Sequence, residues 1–367
     1  MNWNNVKTRE TRTIIINREE NTLNLVDLGW NQDFESKFNQ INNKENYQVA
    51  RVAVEYKGIY KLYTEAGEVL GEITGKMRYN NKFPVVGDWV IADLQSGGKR
   101  AIIHDILPRK SKFSRNRAGS KTQEQIVASN IDTIFIVTSL NQDFNLRRIE
   151  RYLTIAWDSG ANPVVILNKA DLCDEIEVRK SEVESIAFGV PIYVIAALEN
   201  EGVDQLKRYF KRGETVALLG SSGVGKSTLI NSLLGKEKMK VNNVREDDGK
   251  GRHTTTRREM ILLDEGGIII DTPGMREIQL WDVSEGIGNS FSDIEKLAQD
   301  CYFNDCQHES EPKCAVKKAI EEGIITEERF NSYKKLQRER KYIEIKKERG
   351  ANAMEKYKWD IIMGEES

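Results

Sequence analysis

A glycine-rich segment, GSSGVGKS at 220–227, has the residue types and spacing of a phosphate-binding loop. Its glycines allow backbone N–H groups to close around phosphate oxygens at the start of the following helix, KSTLINSLLG. The Lys226 ammonium can reach the β- and γ-phosphates of a nucleotide, and the Ser227 hydroxyl can ligate Mg²⁺. The segment predicts a nucleotide site in which Lys226 is catalytic. The predicted phosphate-binding residues are Gly220, Ser221, Ser222, Gly223, Val224, Gly225, Lys226, Ser227 and Thr228.

A second motif, NKAD, begins at Asn168 and predicts which base is bound. The Asp171 carboxylate can accept hydrogen bonds from both N1–H and the N2 amino group of guanine, whereas adenine has no such donor pair. Asn168 would brace the loop, and Lys169 would lie along the base. After the next strand, Ala196 and Ala197 stand where a Ser-Ala turn usually donates a backbone N–H to guanine. The alanine removes side-chain bracing there but leaves the backbone donor.

A third motif, DTPG, begins at Asp271 after the apolar run GGIIID. Asp271 can hold Mg²⁺ through a water molecule, and the N–H of Gly274 can contact the γ-phosphate. The polar segment before it carries three consecutive threonines, one of which should ligate Mg²⁺ when GTP orders the segment. The predicted Mg²⁺ ligands are Ser227, Thr254, Thr255 and Asp271.

The residue after DTPG is Met275, where Ras-like enzymes have the glutamine that orients the attacking water. Methionine cannot orient a water molecule, so His253, beside the threonines, is the predicted catalytic substitute. A loop histidine without a catalytic role is the alternative. We expect slow hydrolysis until a partner orders this loop.

The order of the three motifs is unusual. NKAD precedes the phosphate loop, and DTPG follows both. In ordinary GTPases the phosphate loop comes first and NKxD comes last. The order therefore indicates a circularly permuted GTPase that binds GTP and GDP with Mg²⁺.

A cluster of cysteines and one histidine follows the GTPase motifs. Its spacing, C-x4-C-x-H-x5-C, places four soft ligands within a short segment, which suits one closed tetrahedral structural Zn²⁺ site. With four protein ligands no position remains for a catalytic water. The predicted ligands are Cys301, Cys306, His308 and Cys314, and Cys173 is predicted to be a packing residue.

Alternating segments in the middle of the chain must position the nucleotide motifs. Near-continuous apolar runs such as IDTIFIVTSL, PVVILNK and ETVALLG are separated by amphipathic helical segments, which indicates a parallel sheet covered on both faces. This predicts a GTPase domain at 109–290. Its first part, 109–124, is a basic linker that is either solvated or in contact with nucleic-acid phosphates.

The two ends of the chain have different patterns. Five short strands at 48–108 predict a small barrel, either an OB-fold or an SH3-like barrel. Residues 1–47 are polar, with Phe34, Phe38 and Ile41 spaced as on one face of a short helix, and are predicted to be a cap. Residues 291–367 are predicted to form a helical zinc-binding domain that ends in a basic helix.

The composition limits the class of protein. The chain has 367 residues, a formal net charge of −2 and a pI of about 6.1, so its global charge does not favour nucleic-acid binding. It has no long apolar run that predicts a membrane span and no signal-peptide pattern at its start. We expect a cytoplasmic monomer whose four cysteines do not form disulfides.

Together, these motifs resemble the ribosome-small-subunit-dependent GTPase A family, of the permuted YjeQ/YloQ type. The resemblance rests on PVVGDWV, QIVASNIDTIFIVTSL, NKAD, GSSGVGKSTLIN, GRHTTTR, DTPGMRE and the cysteine cluster, and covers roughly 48–330. It implies a multidomain α/β protein with an N-terminal OB-fold β-barrel, a central circularly permuted P-loop GTPase and a C-terminal α-helical zinc-binding domain. It also implies binding to the small ribosomal subunit and its rRNA, GTP hydrolysis stimulated by that subunit, and His253 as the catalytic residue.

Three alternatives are distinguishable by experiment. The chain could be a non-catalytic RNA-binding module with a vestigial nucleotide site, against which the intact Lys226, Asp271 and Asp171 argue. It could be a permuted GTPase that acts on another ribosomal RNA target, such as the large subunit. An ATPase would require the NKAD match to be accidental.

Overall fold

The structure is a computed structural model that describes residues 23–41, 47–95, 97–116, 124–235, 258–264, 266–271 and 284–349. The predicted short helix ahead of the barrel is present as α1 (Gln32–Asn39), and its first turn donates hydrogen bonds to the side chain of Asn31. Phe34 is buried, and the ring of Trp30 packs edge-on against Trp89 with centroids 4.8 Å apart. The segment before the barrel thus buries its aromatic side chains on the barrel itself.

The five predicted N-terminal strands form a closed barrel. Strand β1 pairs with both β2 and β4, β3 pairs with both β2 and β5, and β4 pairs with β5. Side chains of β3 alternate between buried and exposed, as expected for a barrel wall. The prediction of a five-stranded OB-like barrel is confirmed. The elements are β1 (Gln48–Glu55), β2 (Tyr60–Thr64), β3 (Gly67–Ile73), α2 (Gly75–Tyr79), β4 (Trp89–Leu94) and β5 (Arg100–Ile106).

The segment predicted to be a basic linker, 109–124, contains the strand β6 (Lys112–Asn116), which pairs with β7 (Glu124–Ser129) just after it. Several of its cations are paired. Arg109 bonds the fully buried Asp88 at 2.6 Å, and Lys112 bonds Glu124 at 2.8 Å. The positive charges in the described part of this segment are therefore largely compensated by acidic side chains. These acidic partners lie far away in sequence or follow the basic run, so the run itself contains no acidic residue.

The central domain is a mainly parallel sheet with the strand order β10-β9-β8-β11-β13-β12, in which only β12 runs antiparallel to its neighbour. Strands β8 and β11 are buried along their whole length, as their apolar sequences predict. The elements are β8 (Thr133–Ser139), α3 (Leu146–Asp158), β9 (Asn162–Asn168), α4 (Ile176–Glu184), β10 (Ile192–Val194), β11 (Thr215–Leu219), α5 (Lys226–Leu234), β12 (Glu259–Leu262) and β13 (Ile268–Asp271).

The barrel and the central sheet are joined at one edge. Val54 of β1 pairs with Glu259 of β12, so the strands form one continuous sheet. Near this edge the buried Arg51 of β1 donates hydrogen bonds to the carbonyl oxygens of Leu28, Gly87 and Asn130 and to the hydroxyl of Thr215. One guanidinium thus connects the N-terminal segment, the barrel and the central sheet.

The described part of the C-terminal region, 284–349, is mainly helical, as predicted. Helix α6 packs closely on α3: a Cβ placed on Gly286 would lie 2.1 Å from the carbonyl oxygen of Thr154. Across the described ranges, none of the helices combines the length and the apolar character that a bilayer crossing demands. The elements are α6 (Ser284–Ser290), α7 (Ser292–Gln299), α8 (Ala315–Glu321) and α9 (Glu327–Arg349).

Candidate nucleotide and metal sites

The phosphate-loop residues lie between β11 and α5, as the sequence predicts. Gly223 has φ 81° and Gly225 has φ 97°, values that favour glycine, and Gly225 is the residue before the first turn of α5. The Lys226 Nζ donates hydrogen bonds of 2.6 Å to the carbonyl oxygens of Gly220 and Ser221. The loop therefore wraps its own lysine at the positive end of a helix.

The side chain of Asn168, at the end of β9, connects two loops. Its Nδ2 donates to the carbonyl oxygen of Val224 in the phosphate loop at 2.8 Å, and its Oδ1 accepts from the N–H of Ala197 at 3.0 Å. Asn168 is buried, so both bonds form out of contact with solvent. The bracing role predicted for Asn168 therefore extends to the phosphate loop as well as to the base-side turn.

The residues predicted to contact guanine lie at the same edge of the sheet. Lys169 has φ 63°, a left-handed backbone conformation, and Asp171 follows in a short 3-10 turn with its side chain exposed. Ala196 and Ala197 are buried. Because the Ala197 N–H is bonded to Asn168 here, the alanine pair is held by the asparagine rather than by a serine of its own turn.

Asp271 ends β13, which lies next to β11, and is 8% exposed. Burial raises the pKa of the Asp271 carboxyl to about 6, the Lys226 ammonium opposes this increase, and the Glu259 carboxylate adds to it. The carboxylate and the phosphate-loop lysine therefore lie close enough to interact. The Asp271 carboxylate is suited to a divalent cation, and the Lys226 ammonium is suited to phosphate oxygens.

Several predicted site residues lie outside the described parts of the chain. These are His253, Thr254, Thr255 and Gly274. The remaining predicted phosphate-loop residues follow the loop into α5: Ser222 and Gly223 are exposed, Val224 is buried, and Ser227 and Thr228 are partly exposed.

Sequence reasoning missed two contacts on the phosphate loop. Arg148, in the first turn of α3, donates from Nη1 to Ser221 Oγ at 3.0 Å, and the Tyr152 hydroxyl lies 3.4 Å from the same atom. Arg148 is also paired with Asp143 at 2.8 Å. The i, i+4 spacing of Arg148 and Tyr152 was visible in the sequence, but nothing local indicated which loop they face.

The cysteine cluster forms a compact ligand set. The ligand atoms of Cys301, Cys306, His308 and Cys314 all lie within 4.8 Å of one another. Cys301 Sγ is 3.8 Å from Cys314 Sγ, and His308 Nδ1 is 3.6 Å and 3.3 Å from these two sulfurs, respectively. Zinc–sulfur bonds of about 2.3 Å in a tetrahedron separate neighbouring ligand atoms by about 3.5–3.8 Å. The cluster could therefore hold a zinc ion.

Local structure orients this ligand set. Cys314 is the residue before the first turn of α8, and its sulfur accepts a hydrogen bond from the N–H of Lys317 at 3.4 Å. His308 has φ 59°, a left-handed backbone conformation. These features favour a structural metal site over unrelated cysteines.

The sheet order and the order of the motifs on it define a circularly permuted GTPase. The crystal structure of YjeQ from Thermotoga maritima aligns with a TM-score of 0.60 and 29% identity, covering 80% of this chain and 98% of that one. A solved structure of YloQ, described as a circularly permuted GTPase, aligns with a TM-score of 0.58 at 22% identity, over 82% of this chain and 98% of that one. The second similarity supports the fold alone.

Sequence comparison identifies the protein family more specifically than the similarity of the fold does. Residues 106–281 match the family model described as RsgA GTPase. A Lactiplantibacillus plantarum protein named small ribosomal subunit biogenesis GTPase RsgA 2 is 46% identical, covering 88% of this chain and 90% of that protein. A Methanosarcina acetivorans protein named small ribosomal subunit biogenesis GTPase RsgA is 45% identical, covering 90% of this chain and 89% of that protein. The chain belongs to the RsgA GTPase family and is a GTP hydrolase.

Proposed function

We propose that this GTPase acts in the late maturation of the small ribosomal subunit, with hydrolysis stimulated by that subunit and release controlled by the bound nucleotide. The observation that carries the proposal is the similarity, at 45–46% identity and over about nine-tenths of each chain, to proteins named for small-subunit biogenesis. The convergence of the motifs around Asn168 and Asp271 on one edge of the sheet supports an intact GTP site rather than a vestigial one.

In the proposed nucleotide site, the base lies beside Asp171 and the phosphates lie over the loop that begins at Gly220. Lys226 would exchange its two loop carbonyl partners for phosphate oxygens, a change favoured by the opposite charge of the phosphates. Mg²⁺ would be held by the Ser227 hydroxyl and by Asp271 through water, with a threonine from 254–255 completing the set. In this proposal His253 would orient the attacking water, and the N–H of Gly274 would contact the γ-phosphate.

The proposed zinc site holds one structural Zn²⁺ through Cys301, Cys306, His308 and Cys314. The site lies after the GTPase motifs and before α9, so a bound zinc would stabilise the region that connects them. When bound, zinc supplies a rigid four-coordinate link and no catalytic water. The short distances between the ligand atoms support this assignment.

The proposed domain arrangement follows the sequence boundaries: a cap at 1–47, a barrel at 48–108, a GTPase domain at 109–290 and a zinc-binding helical domain at 291–367. The barrel fold supports contact with rRNA, because OB-folds commonly bind oligonucleotides. We also propose that the protein acts as a cytoplasmic monomer, since its partner would be a ribosomal subunit rather than a second copy.

The test is GTP turnover by the purified protein alone, with isolated small subunits and with isolated large subunits, using ATP as the nucleotide control. Stimulation by small subunits, specific for GTP, is the expected result. Stimulation only by large subunits would contradict the proposed target. Lys226→Ala should remove turnover, whereas Lys211→Ala, an exposed lysine outside the loop, should not. Subunit binding without any turnover would favour a non-catalytic RNA-binding protein.

A further inference from the structure

We propose that helix α3 couples the docking of the C-terminal helices to the position of the phosphate loop, with Arg148 as the positioning residue. The contacts on the two sides of this helix carry the proposal. It rests on the proposed nucleotide site, because the loop that α3 touches is the one assigned to the phosphates.

On one side, α3 holds Ser221, the second residue of the phosphate loop. Arg148 donates to the Ser221 hydroxyl oxygen at 3.0 Å, and the Tyr152 hydroxyl is 3.4 Å from it. The backbone carbonyl of Ser221 in turn accepts a 2.6 Å hydrogen bond from Lys226. A shift of Arg148 would therefore move the residue that positions the catalytic lysine.

On the other side, α3 is fixed to the C-terminal helices by charged contacts. Glu150 is 1% exposed and bonds Arg329 of α9 at 2.8 Å, and Arg329 also bonds Asp293 of α7 at 2.7 Å. Arg151 forms two hydrogen bonds with Glu339 of α9, at 3.0 and 2.9 Å. These bonds tie α3 to α7 and α9, and the close packing at Gly286 ties it to α6.

The α3 residues that contact the phosphate loop and those that contact the C-terminal helices are less than one turn apart on this rigid helix. Residues 148 and 152 lie one turn apart on the face toward the phosphate loop, and residues 150 and 151 lie between them in sequence. The pair of Glu150 and Arg329 cannot rearrange cheaply, because Glu150 is 1% exposed and separation would remove one of its two charged partners, leaving only Arg147. A displacement of the C-terminal helices would therefore move α3 as a body, and Ser221 with it.

The contact suited to mutation is the one between Arg151 and Glu339, because both side chains are only partly buried and the protein should fold without it. Glu344 provides a matched control. It lies on the same helix, and its ion pair with Arg340 is within α9 at 3.6 Å, so its removal leaves α3 untouched. Arg208→Ala, an exposed arginine away from the loop, is the control for Arg148→Ala.

The experiment measures the Kd for GDP and the kcat and KM for GTP of the full chain, together with Tm and zinc content. We expect Arg148→Ala to raise the Kd on the order of fivefold and Glu339→Ala to raise it by a smaller factor, in the range of typical couplings between sites. Tyr152→Phe should raise it slightly. Glu344→Ala and Arg208→Ala should leave it unchanged. A purely structural role would lower Tm and leave the Kd unchanged.

The double variant Arg148→Ala with Glu339→Ala decides whether the two ends are coupled. If α3 transmits docking through Arg148, the combined rise in Kd should be smaller than the product of the two single effects. The proposal would be overturned if the two single effects on the Kd multiplied in the double variant. It would also be overturned if Glu339→Ala, like Glu344→Ala, left the Kd unchanged. A wild-type protein that binds no guanine nucleotide would instead refute the proposed nucleotide site.

Discussion

Asn168 donates a hydrogen bond of 2.8 Å from Nδ2 to the carbonyl oxygen of Val224, 56 residues further along the chain. The same side chain accepts from the N–H of Ala197. The permutation places NKAD before the phosphate loop, yet this contact holds the two motifs together at neighbouring strand ends. The side chain of Asn168 therefore holds the predicted base-binding and phosphate-binding halves of the site together.

Replacing Asn168 with alanine should weaken nucleotide binding at least tenfold and lower the stability of the nucleotide-free protein. The change leaves the buried Val224 carbonyl and Ala197 N–H without their partner, and each unsatisfied group costs roughly 1–3 kcal/mol. Titration with fluorescent GDP and thermal melts would measure the two effects. Asn162→Ala, at the exposed start of the same strand, is the control. An unchanged Kd for GDP would show that the bridge does not organise the site.

Gly225→Ala should disrupt the phosphate loop, whereas Gly235→Ala, at the other end of α5, should cost much less. Both glycines have positive φ, 97° and 61° respectively. A Cβ on Gly225 would lie 2.2 Å from Asn168 Nδ2, while one on Gly235 would meet nothing within 4 Å. Gly225→Ala should therefore abolish detectable GDP binding. Equal GDP affinities in the two variants would contradict the packing argument.

Asp271→Asn should raise the Tm of the nucleotide-free protein and remove the increase in GTP affinity that Mg²⁺ produces. The carboxylate is buried, and burial raises its pKa to about 6, so keeping it charged at neutral pH lowers stability. Asparagine removes this charge but is a weaker Mg²⁺ ligand. Melts and GTP titrations with Mg²⁺ or EDTA would measure both effects. If Asp271→Asn had a lower Tm than the wild-type protein in EDTA, neighbouring groups would have to stabilise the Asp271 charge more than the structure indicates.

Removing zinc should unfold the C-terminal region and lower the stability of the whole chain. Metal analysis should find one zinc per chain, and Cys314→Ser should lose it, because serine is a poor zinc ligand. Cys173→Ser, which changes the cysteine outside the cluster, should retain the metal. A chelator that removes zinc without any change in circular dichroism or Tm would argue against a structural role.

Arg51→Met should destabilise the protein by about 3 kcal/mol or more, because it removes the donors for four buried acceptors at once. Arg51 is 1% exposed, and burial lowers its pKa to about 10. Chemical denaturation would measure the loss, with the exposed Arg78→Met as control. A loss equal to that of the control would show that Arg51 does not stabilise the junction between the barrel and the central sheet.

Much of the secondary structure was predictable from local patterns. The run QVARVAVE coincides with β1, and the apolar run ETVALLG contains β11, because buried strands of a sheet require uninterrupted or alternating apolar side chains. Helix α2 was not predicted, because five residues are too few to show a period. The β6–β7 pair was also missed, since the basic residues of this segment suggested solvation, and the acidic partners of Arg109 and Lys110 lie 21 and 22 residues away.

The sequence by itself determined the chemistry of the sites. The phosphate loop, NKAD and the predicted zinc ligands are short motifs whose residue types and spacing are complete within short segments of the chain, and the order of the motifs revealed the permutation. Only the tertiary structure decided which elements hold those sites in place. The contacts of Arg148 with Ser221 and of Glu150 with Arg329 span 73 and 179 residues. Such contacts depend on strand order and helix packing, which bring distant segments together, and no local pattern encodes their partners.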